Sequence, residues 1–108
     1  MTATDSEAAR VGLLARIEAK PEHAEEVQAL LTGALTLAQE ETGTTVWFAL
    51  RLGPTSFGIF DAFGDDEARQ AHLGGKIAAA LLAEAPRLLI EEPDIRPVDV
   101  LAAKLPTA

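Results

Sequence analysis

Two neighbouring β-rich runs, residues 44–52 and 56–63, constrain this chain more than anything else in it, because both of their faces are apolar. Gly53-Pro54-Thr55 separates them, and a short link of that kind between two such runs predicts a hairpin. Side chains along a strand point alternately to opposite faces of the sheet. Val46, Phe48, Leu50, Phe60 and Ala62 have one parity, while Trp47, Ala49, Phe57, Ile59 and Phe63 have the other. A sheet with one wet face alternates apolar and polar residues, and this hairpin does not. A large apolar side chain left in water forfeits roughly 1.5–3 kcal/mol. Five such positions forfeit about 10 kcal/mol, comparable with the whole stability of a domain. Both faces therefore need a cover. Helices supply one, and a second copy of the sheet, related by twofold symmetry, is the simplest other. The alternative is a monomer whose uncovered face is a ligand groove.

The rest of the chain supplies the helices. Residues 11–18 read as a first strand, with Val11, Leu13, Ala15 and Ile17 on one face, and Lys20-Pro21 ends it. Val27, Leu30, Leu31, Ala34, Leu35 and Ala38 form an apolar stripe at helical spacing, so residues 21–41 are expected to be one helix, closed by Gly43. Gly64-Asp65-Asp66 caps a second helix that carries Ala68, Ala71 and His72 on its inner face. Gly74-Gly75 interrupts it, as a lid hinge or a plain break. Residues 77–85 resume it, 86–93 form a turn-like connection, and 95–101 are a last strand that Pro97 marks as an edge or a bulge. The fold class is α+β: a ferredoxin-like βαββαβ antiparallel sheet with helices on one face, paired into a dimeric α/β barrel. Residues 1–10 and 102–108 are expected to be tails around a single domain of residues 11–101.

Charge and composition remove several partners. A net charge of −8 over 108 residues repels phosphate backbones and anionic lipid, so neither nucleic acid nor a membrane is expected as a partner. No apolar run reaches the roughly 18 residues of a membrane span, and the first ten residues lack a secretion pattern. The chain has no cysteine, which excludes thiol chemistry and suits a cytoplasmic location. His23 and His72 share no metal-ligand spacing, so no metal is expected. Glu91-Glu92 and Asp94 read as a solvated acidic edge, and Leu73-Gly74-Gly75-Lys76 lacks the spacing of a phosphate loop.

Pairing the hairpin about Pro54 puts Trp47 opposite Asp61, Ala49 opposite Ile59 and Arg51 opposite Phe57 on one side, and Phe48 opposite Phe60 on the other. The Trp47–Asp61 side offers an apolar surface with a few converging polar groups, which suits a small aromatic ligand. Asp61, once desolvated, takes a phenolic proton. Trp47, Phe57 and Phe63 confine the ring, and Arg51 steadies a phenolate or carboxylate. His72 is a second candidate base. Plainer readings exist for each: a Trp47 N–H satisfied by Asp61, an exposed Arg51 lying over Phe57, and a core histidine tied to a backbone carbonyl.

Four stretches resemble the antibiotic biosynthesis monooxygenase family: strand 11–18 leading into Lys20-Pro21; Glu41-Thr42-Gly43; Phe60-Asp61-Ala62-Phe63 followed by Asp65-Asp66-Glu67-Ala68; and Ala71-His72-Leu73. With the element order they span nearly all of residues 11–101. The resemblance implies a dimeric α+β barrel with a pocket between the sheet and the helices of each subunit. It also implies oxidation of a small aromatic or quinol-type substrate by dioxygen, with no metal or flavin cofactor. Other members open haem, isomerise small sugars, or have no known activity. The chain departs from the family in lacking any asparagine, which the haem-opening and polyketide-oxidising branches use near the pocket, in having no tyrosine, and in placing Phe63 where many members carry tryptophan. Two rival readings follow: a ligand-binding or stress-response module without turnover, and a non-oxidative isomerase using His72 as its base.

Overall fold

In the computed structural model, which describes residues 7–106, the hairpin is present and its register is the one read from the sequence. β1 (Val11–Glu18) is followed by a short 3-10 turn (Pro21–His23) and two helical segments, α1 (Ala24–Gly33) and α2 (Leu35–Glu40). β2 (Thr44–Arg51) and β3 (Ser56–Phe63) form the hairpin, then α3 (Asp66–Leu73), α4 (Lys76–Leu88) and β4 (Asp94–Asp99) complete the domain. The four strands are antiparallel and lie in the order β2-β3-β1-β4, the ferredoxin-like arrangement, with the helices on one face. Trp47 pairs with Asp61, Ala49 with Ile59, Arg51 with Phe57 and Phe48 with Phe60. The hairpin has one irregularity, between Thr44 and Val46, next to the helix end that precedes it.

Local chemistry explains most boundaries. Pro21 opens the turn after β1, where its missing N–H costs nothing. Asp65 caps α3 by accepting a hydrogen bond from the Ala68 N–H at 2.9 Å. The expected first helix is instead split: Ala34 stands between α1 and α2, and its N–H is shared by the carbonyls of Leu30 and Leu31. Such a shared bond tightens the last turn of α1 and redirects the chain. The α4 helix runs on to Leu88 through Pro86, so the connection expected at 86–93 is shorter, and β4 ends at Asp99 rather than 101. Pro97 lies in β4, an edge strand, as its missing N–H requires.

The helices cover the face that carries Leu13, Ala15, Ile17, Phe57, Ile59, Asp61 and Phe63, all buried. This layer has two ends. Toward the hairpin turn it is wholly apolar, with Ile17, Phe57 and Ile59 packed against Val27, Leu31, Leu81, Ala85 and Leu88. Toward the other end it becomes polar, where Asp61 and His72 are buried together. The opposite face of the sheet has no cover in a single chain: Phe48 is 53% exposed, Leu14 42% and Leu50 40%.

Of the two expected tails, residues 1–6 and 107–108 lie outside the described residues. Ala9 is buried, and Arg10 donates its N–H to Phe63 O and accepts from Val100 N–H, so the residues just before β1 are tied to the sheet. Leu101 is almost fully exposed. No helix among the described residues is long and apolar enough to cross a membrane.

Candidate active site

The polar end of the covered layer is built around one histidine. Asp61 lies in β3 between Leu13 of β1 and Trp47 of β2, and its side chain points at the helices. The cap at Asp65 fixes where α3 begins, and six residues on, its last turn brings His72 over the sheet. His72 Nε2 lies 2.9 Å from Asp61 Oδ2. His72 Nδ1 lies 2.6 Å from Glu41 Oε1. Glu41 closes α2 in an extended conformation, and its Oε1 also accepts a hydrogen bond from the Thr44 hydroxyl at 2.6 Å. The Phe63 ring packs on the imidazole with 5.3 Å between centroids.

Both ring nitrogens are therefore engaged by carboxylates. Burial alone would lower the His72 pKa, since it disfavours the charged ring. The hydrogen bonds to Asp61 and Glu41 outweigh burial and, with their negative charge, raise it from 6.5 to about 9. At neutral pH His72 is an imidazolium donating one N–H to each carboxylate. It has no lone pair with which to take a proton from a substrate. Asp61 does: Oδ2 holds His72, while Oδ1 is buried and has no hydrogen-bond partner.

Two spaces meet at His72. A groove of about 390 Å³ is lined by Glu40, Glu41, Thr42, Thr44, Lys76 and His72 among others. A small cavity of about 30 Å³ lies on the other side, with Asp61 and His72 the polar groups in a wall of Leu13, Ala15, Ile59, Leu73, Ile77, Ala78, Leu81 and Ile95. That volume suits a water or a diatomic molecule. Among the described residues no group of three or more histidine, cysteine or carboxylate side chains is arranged to hold a metal ion.

The residues singled out from the sequence are thus divided. Asp61 and His72 meet directly. Trp47, Arg51, Phe57 and Phe63 share their face of the sheet but line neither the groove nor the small cavity. Phe57 and Phe63 are packed into the interior. The Arg51 guanidinium stacks over Phe57 at 5.1 Å and is held by Gln28, Glu25 and the Gly53 and Pro54 carbonyls, the plainer of its two readings. The Trp47 N–H is buried without a partner, so Asp61 does not satisfy it. His72 is bound to side-chain carboxylates rather than to a backbone carbonyl. His23, read as exposed, is half-buried and pairs with Glu26 at 2.6 Å.

Glu41 is the residue that sequence reasoning did not assign to the site. It stood in view as part of Glu41-Thr42-Gly43, but as a helix end. Only the register of α2 against α3 shows that this end reaches His72. Gly75, read as a hinge or a break, stands at the junction of α3 and α4, where its N–H bonds to His72 O at 3.0 Å. A Cβ there would meet His72 O at 3.2 Å and Ala71 O at 3.4 Å, so the glycine lets the junction close against the end of α3.

A ferredoxin-like α+β domain with a buried acid–histidine cluster under its helices defines the class of the molecule. Among solved structures, the protein NE2512 of unknown function from Nitrosomonas europaea is 51% identical, with 94% of this chain and 99% of that one covered at a TM-score of 0.91. The chain belongs to the same family as that protein. Its fold is also that of two proteins described as a "putative antibiotic biosynthesis monooxygenase". The one from Caulobacter crescentus is 18% identical over 89% of this chain and 93% of its own, with a TM-score of 0.74. The one from Deinococcus radiodurans is 19% identical over 91% and 99%, with a TM-score of 0.76. No protein-family model and no curated protein matches the chain.

Proposed function

We propose that this protein is a cytoplasmic, cofactor-independent monooxygenase acting on a small aromatic or quinol-type substrate. The observation that carries the reading is the buried Asp61–His72 pair, with Asp61 Oδ1 free beside a small apolar cavity. The fold shared with the proteins described as monooxygenases supports it at the level of architecture.

In this reading Asp61 is the base and His72 supplies charge. Once the small cavity widens to admit it, an activated aromatic ring gives a phenolic or ring-carbon proton to Asp61 Oδ1. The resulting anion is stabilised by the adjacent imidazolium, which also favours the superoxide formed when the ring passes an electron to dioxygen. Recombination places one oxygen atom on the ring carbon. The other leaves as water with the ring-carbon hydrogen and the proton first taken by Asp61, so that a phenol and O₂ become a quinone and H₂O and the substrate supplies all the electrons. Trp47, Arg51, Phe57 and Phe63 act here as the wall that fixes the strand carrying Asp61. Their direct contact with substrate requires an opening of the packed interior.

The uncovered sheet face, with Phe48, Leu14 and Leu50, supports a homodimer through that face. The test of function is oxygen consumption with a panel of hydroquinones and phenolic ring ketones. Uptake by the native chain that disappears in Asp61→Asn supports the oxygenase. Ligand binding with no loss of substrate or oxygen replaces it with the binding module. Turnover under strict anaerobiosis replaces it with the isomerase.

A further inference from the structure

Exposure of the side chains rises in steps across the cluster, from 2% for Asp61 through 8% for His72 to 22% for Glu41. Asp61 faces the small apolar cavity, Glu41 faces the groove, and His72 belongs to the wall of both. The imidazole therefore stands between a buried carboxylate and one in contact with solvent. We infer that Glu41 is the positioning residue of this site: it holds His72 in its protonated form aimed at Asp61, and it is the group through which that proton exchanges with the groove.

Three features of the surroundings fit this role. Glu41 Oε1 is held by the Thr44 hydroxyl as well as by His72, so the carboxylate is fixed at the start of β2. Gly75 lines the groove beside the carboxylate. The other charged groups on the groove are Glu40 and Lys76, both on the solvent side. The proton step balances within the cluster: His72 gives its Nδ1 proton to Glu41, and Glu41 releases it to water in the groove. The charge of the cluster then falls by one while Nε2–H stays on Asp61 Oδ2. Return of a proton by the same route restores the imidazolium. Asp61 is the least exposed of the three side chains, and Leu13, Ile59 and Leu73 line the cavity it faces.

The role depends on the proposed function only for its purpose, since the proton path is measurable without substrate. The experiment is an NMR titration of the ¹⁵N-labelled histidine rings in the native chain, in Glu41→Gln and in Glu41→Asp. An opposite charge in direct contact moves a titration by about one to three pH units. Glu41→Gln is expected to lower the His72 midpoint by that amount and to slow exchange of its Nδ1 proton. Glu41→Asp keeps the charge but shortens the reach, so a smaller drop is expected, and it serves if Glu41→Gln does not fold. Loss of thermal stability with an unchanged His72 midpoint and unchanged Nδ1 exchange in either folded variant overturns the inference. Failure of the oxygen assay with the titration as expected removes the proposed reaction and leaves the role of Glu41 standing.

Discussion

The two faces of the hairpin are made from the same strands and are nearly equal in apolar content, yet they meet different fates. On the covered face Phe57 and Phe63 are packed to near-complete burial against helices. On the other, Phe48 remains 53% exposed in the single chain. Burial is a property of what lies opposite a residue, so an apolar side chain contributes to folding only where the chain itself supplies the cover. The covered face also tolerates a polar pair, Asp61 and His72, because each is hydrogen-bonded there. The open face carries no such site and is suited to association.

The largest effect expected from this contrast is on the covered face. Phe63→Ala removes a fully buried ring that also packs on His72, and large-to-small changes of this kind cost about 3–5 kcal/mol. Urea unfolding measures it; a loss below about 1 kcal/mol would mean the layer is loosely packed. A second effect comes from pH. The His72 pKa is higher folded than unfolded, about 9 against 6.5, so its contribution is complete below pH 6.5 and is lost as pH rises through 9. The size is at most about 3.5 kcal/mol, and the decline should be absent in His72→Gln. Denaturation midpoints at pH 6 and 9.5 compare the two.

Gly12→Ala sharpens the comparison from the open side. Its Cβ would lie 2.6 Å from the Asp61 carbonyl oxygen, with Phe60 and Val98 side chains at 3.3 Å. Backbone must shift, and overpacking of this sort costs about 1–3 kcal/mol. A thermal midpoint equal to that of the native chain would show that β1 and β3 separate freely. The smallest effect on the isolated chain belongs to Phe48→Ala, under about 1 kcal/mol when measured at dilutions that keep the protein monomeric. Phe48→Glu breaks the comparison altogether if the open face pairs with a second copy. Sedimentation should then show a dimer for the native chain and a monomer for the variant, and a native chain that sediments as an 11.4 kDa species at micromolar concentration rules the pairing out.

Much of this fold was legible in the residues. The short Gly53-Pro54-Thr55 link predicts the hairpin and symmetric pairing about Pro54 gives its register; a slip of one residue would turn Phe48 and Leu50 toward the helices in place of Trp47 and Arg51. The Asp65 cap and the Gly74-Gly75 interruption set the limits of α3 from local chemistry alone. The break at Ala34 was not legible, since the apolar stripe from Val27 to Ala38 runs straight across it. Nor was the continuation of α4 through Pro86, where packing of Ala85 and Leu88 overrides the local signal.

For the site the division is similar. Parity placed Asp61 and Trp47 on one face, and helical spacing turned His72 inward. Sequence alone left His72 as either a candidate base or a core histidine tied to a backbone carbonyl, because periodicity says which way a side chain points and nothing about what waits there. Tertiary structure decided that two carboxylates wait there, one from β3 and one from the end of α2. Their separation along the chain, residues 41, 61 and 72, carries no pattern a motif could capture. The charge of His72 follows from that convergence, since a buried imidazolium persists only where opposite charge and hydrogen bonds outweigh the loss of water.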